Sequence, residues 1–166
     1  MNLDELQRRL RELEDREAIR ALKARYFFSC DRKDPAGMRA CFADGPVAID
    51  YGAVGKFENA DALVEVFTAI ACHPHMVELH HAANPQIEVL DDTRARGLWN
   101  LHYQLIDTRQ RRLTQLAGFY EDEYRKARGA WKISATRFTV TSTLVLALDE
   151  AAVKAVCAGR SLSAPE

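Results

Sequence analysis

The sequence predicts an α+β domain, a curved antiparallel sheet packed against helices that come first in the chain. Three observations carry this. Apolar residues recur at helical spacing over 3–30 and again over 59–71. From Met76 the period changes to two, in four runs: Met76–Leu90, Thr93–Ile106, Arg112–Arg125 and Trp131–Leu148. Short turn signals join these runs, at Asp91-Asp92, Asp107-Thr108-Arg109 and Arg128-Gly129. Helices followed by a long meander is the α+β order.

The first helix is expected over 2–33. Leu3, Leu6, Leu10 and Leu13 share one stripe, and Ile19, Leu22, Tyr26 and Cys30 another, with charged residues between them. The cluster Glu14-Asp15-Arg16-Glu17 divides a short arm, 1–14, from the main helix. Such an arm has too little apolar surface to hold alone, so it is expected to pack on the body or on a partner subunit. Asp34-Pro35 has the form of a helix start, with Asp at the cap and Pro at the first position, and a short helix follows through Phe42. Val47, Ile49 and Tyr51 alternate as in a strand. Asn59 caps a further helix whose apolar face is Leu63, Val66, Phe67 and Ile70. In the long strands, Pro85 and Gly118 mark places for a bulge or bend. A last helix is expected over 149–157, and 159–166 forms a frayed tail.

Composition narrows the function. The chain has 166 residues, 48% of them hydrophobic, enough for one domain with a sizeable core. Its formal charge is −1, so no global basic field exists to hold nucleic acid. The cysteines Cys30, Cys41, Cys72 and Cys157 form no C-x-x-C pair and no zinc spacing. Scattered thiols without a secretory signal point to a reducing compartment, and the expected location is the cytoplasm. No apolar run reaches the roughly 20 residues that cross a bilayer.

Three residues carry candidate chemistry: Tyr26 and Asp31 near the end of the first helix, and His80 on the first long strand. A carboxylate beside a histidine fixes the imidazole tautomer and raises its basicity, leaving the other ring nitrogen to take a proton. A phenol nearby donates to an oxygen that becomes negative. Each residue also has a plainer reading. Asp31 is equally a polar residue at a helix end, and Tyr26 an ordinary core tyrosine. Strict alternation sets Val77, Leu79 and His81 on one face and Met76, Glu78 and His80 on the other, which favours His81 as the buried histidine. Tyr26 and Asp31 stand about 140° apart around an ideal helix, so both reach one cavity only at the helix's C-terminal end. Period-two positions on the later strands supply a candidate ligand wall: Trp99, Leu101, Tyr103, Leu116, Tyr120 and Phe138. Such a wall suits a flat, cyclic, apolar compound, though each residue is also an acceptable core residue.

Asp15-Arg16-Glu17-Ala18-Ile19-Arg20-Ala21-Leu22, running on to Tyr26 and Asp31-Arg32-Lys33-Asp34, resembles the opening of SnoaL-like proteins of the nuclear-transport-factor-2-like superfamily. His80-His81-Ala82-Ala83-Asn84-Pro85-Gln86-Ile87-Glu88-Val89 resembles their strand with the pocket histidine, and 118–124 with 131–134 their last two strands. The resemblance covers most of 15–145 and extends in particular to scytalone dehydratase and bile-acid 7α-dehydratase. It implies a cone-shaped, cystatin-like fold over 15–158 and an Asp–His pair in the cavity. It assigns Asp31 and His80 to that pair, so it selects His80 over His81, and it adds Tyr26 as a catalytic phenol and Tyr51 as a pocket tyrosine. It implies a cofactor-independent dehydratase or isomerase acting on a small, hydrophobic, oxygenated ring compound. No metal or nucleotide motif appears, so neither is required, and the charge and hydropathy lead to no nucleic-acid or membrane partner being expected. Because the convex sheet face needs a cover, a homodimer or homotrimer is expected. The fold is also used without chemistry, so a binding or assembly module is the competing expectation. The related dehydrochlorinase carries an Arg where this chain has Thr136. Arg137 comes one residue later, and a one-residue step turns a strand side chain to the opposite face.

Overall fold

The computed structural model describes residues 2–151, 153 and 156–159. Helix α1 (Leu3–Asp31) is followed by the short α2 (Pro35–Ala40), strand β1 (Ala48–Asp50) and the two-residue β2 (Lys56–Phe57). Helix α3 (Ala60–Ile70) leads into four long strands, β3 (Met76–Val89), β4 (Arg94–Asp107), β5 (Arg112–Ala127) and β6 (Ala130–Ala147). They form one sheet in the order β2-β1-β6-β5-β4-β3. The meander pairs are antiparallel, and β1 joins β6 in parallel. Among the described residues no helix is long and apolar enough to cross a membrane.

Local chemistry accounts for the boundaries. Asn2, Asp34 and Asn59 each accept a hydrogen bond from a first-turn backbone N–H, closing the open ends of α1, α2 and α3. At the other end of α1, the Lys33 N–H returns to the Cys30 carbonyl and the Asp34 N–H to Ser29. Lys33 itself adopts φ +58, the left-handed conformation that reverses the chain after a helix.

Helix α1 lies on the sheet through one stripe, Ile19, Leu22, Tyr26, Phe27 and Cys30, all buried. Against it pack Trp99, Leu101, Tyr120, Tyr124 and Ile133 from β4, β5 and β6. Two buried carboxylates fasten the contact. Asp15 accepts from Lys126 Nζ at 2.6 Å and from the Trp131 indole at 2.8 Å. Asp122 meets Lys23 Nζ at 2.7 Å, with both side chains shut off from solvent.

Several expectations are corrected. Helix α1 is unbroken through Glu14–Glu17, because no helix-breaking residue interrupts it. Its first part does not pack on the body, and Leu3, Leu6, Leu10 and Leu13 are 48–67% exposed. Strand β2 was not foreseen, since two residues show no period. The helix expected over 149–157 is not formed at the described positions, which show only a turn at 150–151; residues 152, 154 and 155 lie outside the described residues. The tail beyond 159 also lies outside them.

Two of the three register shifts fall where Pro and Gly were read. The β3–β4 register shifts between Ala83 and Gln86, beside Pro85, and the β5–β6 register shifts between Ala117 and Gly118. A Cβ on Gly118 would lie 2.3 Å from the Thr139 carbonyl and 2.7 Å from the Phe138 ring. Gly118→Ala is therefore expected to lower unfolding free energy in urea by about 1–3 kcal/mol. A wild-type midpoint would show that the strands part at no cost.

Candidate functional site

The C-terminal end of α1 meets the first half of β3. Alternation along β3, counted across its pairing with β4, turns Glu78 and His80 toward α1 and leaves Leu79 and His81 on the outer face. The His80 ring Nδ1 stands 2.6 Å from Asp31 Oδ1. The same carboxylate accepts the His80 backbone N–H, at 3.1 and 3.2 Å to its two oxygens. A carboxylate can only accept, so Nδ1 carries the proton and Nε2 is left as the basic nitrogen. The side chains are mostly but not fully covered, 13% exposed for His80 and 21% for Asp31.

Aromatic rings hold the imidazole on both sides. Phe27 stacks on it at 5.5 Å between centroids, and Tyr103 leans against it at 4.8 Å. The Tyr103 hydroxyl donates to Glu78 Oε1 at 2.6 Å. The other Glu78 oxygen is paired with Lys33 Nζ. Burial, and then the Glu78 carboxylate, push the Tyr103 phenol well above its usual range.

The remaining residues read from the sequence fall into separate groups. Tyr26 and Tyr51 share a hydroxyl–hydroxyl bond of 2.8 Å in the core. Burial raises both phenols, Tyr26 well above its usual range. Tyr120 sits between the two groups, with its ring 5.5 Å from Phe27, 5.7 Å from Tyr51 and 4.5 Å from Phe138. Leu116 and Phe138 are partly buried on the same side as Tyr103. Trp99 and Leu101 are core residues, 4–5% exposed, and the Trp99 indole donates to Tyr124 rather than toward His80.

Thr136 faces inward and donates to Asp122 at 2.7 Å. Arg137 faces the other way. With Asp50, Lys56, Glu121 and Leu98 it borders an open depression of about 1420 Å³ that crosses the strands. The β5–β6 register shifts between Glu123 and Tyr124, where Ala135 and Ile133 are the partners and Ser134 is skipped; this bulge passes the inward parity of Trp131 and Ile133 to Thr136 and leaves Arg137 outside.

Sequence reasoning placed Glu78 on the His80 face and gave it no role. The available signal was the shared parity of 78, 80 and, across the register, 103.

A family model described as a SnoaL-like domain matches residues 11–137. The fold is similar to solved structures. A hexachlorocyclohexane dehydrochlorinase, LinA type 2, superposes with a TM-score of 0.75 at 17% identity, over 83% of this chain and 93% of that one. A provisionally named scytalone dehydratase of Novosphingobium aromaticivorans DSM 12444 gives 0.74 at 22% identity, over 92% and 98%. A protein of unknown function with a cystatin-like fold from Nostoc punctiforme PCC 73102 gives 0.62 at 22% identity, over 76% and 91%.

Proposed function

Because this chain belongs to the SnoaL-like domain family, we propose that it is a cofactor-independent lyase or isomerase that removes a proton from carbon. The observation that carries the reading is the 2.6 Å contact between His80 Nδ1 and Asp31, which leaves Nε2 as a base beside two aromatic rings. Two structural relatives bear names of elimination enzymes, which supports the same class.

In this reading the substrate is a small cyclic compound with a carbonyl next to the reacting carbon. Nε2 takes the proton, and Asp31 stabilises the imidazolium that forms. Electrons move into the carbonyl to give an enolate. From the enolate, a β-hydroxyl that takes the proton back from Nε2 leaves as water and gives a dehydratase, and return of that proton to another carbon gives an isomerase. Tyr26 and Tyr51 are a bonded pair of phenols, with the Tyr26 ring 5.3 Å from Phe27; the hydroxyl proton not used between them is the donor we assign to the developing oxyanion.

The test is proton exchange. Cyclic β-hydroxyketones are incubated with the protein in deuterated water and followed by NMR. The expected result is deuterium incorporation α to the carbonyl, with or without water loss, that disappears in His80→Ala. Saturable binding of these ketones with no exchange above the buffer rate would instead identify a binding module.

A further inference from the structure

We propose that Glu78 is a positioning residue that turns Tyr103 into a hydrogen-bond acceptor, so that the site selects ring compounds presenting a hydroxyl donor. The inference rests on the preceding reading only in placing the ligand against His80.

A phenol has one proton and two lone pairs. The Tyr103 proton is committed to Glu78 Oε1 at 2.6 Å. What Tyr103 offers a ligand is therefore its oxygen lone pairs. His80 makes the same offer, because its Nδ1 proton is committed to Asp31 and its Nε2 is free. The two rings that carry these acceptors lie against each other, with centroids 4.8 Å apart. A bare ether or halide finds no donor there, whereas a hydroxyl satisfies either atom.

Glu78 can hold this arrangement because it is itself held. Its side chain is only 10% exposed, and its second oxygen is neutralised by Lys33. Lys33 reaches it because the helix-ending reversal at φ +58 turns the chain back toward β3. The unit is therefore a chain, Lys33–Glu78–Tyr103, running beside Asp31–His80 without sharing an atom with it.

The test uses 2-naphthol and its methyl ether, 2-methoxynaphthalene, which are flat probes that differ in one donor. Calorimetry gives the affinity ratio for wild type, Glu78→Gln and Tyr103→Phe, with circular dichroism and thermal melts confirming that each is folded. Wild type is expected to bind the naphthol about tenfold tighter, the worth of one satisfied buried hydrogen bond. Tyr103→Phe, which lacks this acceptor and keeps His80 Nε2, should lower the ratio. In Glu78→Gln the amide can donate to the phenol oxygen and turn its proton outward, so the ratio should fall and the ether should gain. A wild-type ratio near one, a ratio unchanged in both variants, or no saturable binding of either probe overturns the proposal. Proton exchange separates the two readings. No exchange above the buffer rate in wild type, with a naphthol preference that falls in Tyr103→Phe, leaves this inference standing by itself; exchange that disappears in His80→Ala, with that preference present, leaves both standing.

Discussion

Lys23→Met is expected to destabilise the protein by about 3–5 kcal/mol, the cost of stripping one partner from a buried ion pair. Lys23 Nζ lies 2.7 Å from Asp122 Oδ2, and the two side chains are 1% and 0% exposed. The ammonium also lies 3.8 Å above the Tyr120 ring and 5.0 Å from Phe27. Burial lowers the Lys23 ammonium from its ordinary range, and the adjacent carboxylate works against that shift. Without Lys23, Asp122 keeps the hydroxyls of Tyr124 and Thr136, both at 2.7 Å, but its charge has no counter-charge in a dry core. The loss is a large fraction of the roughly 5–15 kcal/mol that holds a domain together. Urea unfolding of Lys23→Met, Asp122→Leu and the double variant measures it. The double variant should lose less than the sum of the singles, because it buries no orphan charge. A Lys23→Met midpoint close to wild type would show that the carboxylate is hydrated or protonated in the folded protein.

The second large effect is chemical. Asp31→Asn keeps the volume and the hydrogen bond to the His80 backbone N–H, but it replaces one acceptor oxygen with an amine. Facing Nδ1, that amine donates, and the imidazole must move its proton to Nε2. The basic nitrogen then no longer points at substrate. Proton exchange on the ketones is expected to fall by roughly 10²–10⁴-fold, the range of positioned acid–base catalysis. Affinity for 2-naphthol should move by no more than about threefold, since no group of the Tyr103–Glu78 unit changes. Exchange at near wild-type rates would remove Asp31 from the mechanism. Equal losses in exchange and affinity would make it a structural residue of the helix end.

Much of the architecture could be read in the residues. Helix caps at Asp34 and Asn59, the period-two runs after Met76 and the bends at Pro85 and Gly118 are local signals, and each acts within a few residues of itself. Two local readings went further than a local signal reaches. Residues 149–157 have the composition of a helix, but the described positions show only a turn at 150–151. The leucines at 3, 6, 10 and 13 have a helical period and do form helix, yet the period alone does not say what covers them.

The site was legible only in part. Alternation divided 76–81 correctly into two faces but favoured the wrong one as the interior, because Val77 and Leu79 are the more apolar set. Both are on the outer face, where Leu79 is 52% exposed. Trp99 and Leu101 share parity with Tyr103, yet lie deeper under α1 and serve the core.

Taken alone, the sequence determined the kind of each element, its caps and turns, and which residues share a strand face, because these follow from backbone preference and side-chain period. The family resemblance had named His80 over His81 as the partner of Asp31; only the tertiary structure decided which face became the interior and that Lys33 and Glu78 stand beside that pair. Those outcomes depend on where a helix end lands on a bent sheet, and no local period encodes that position.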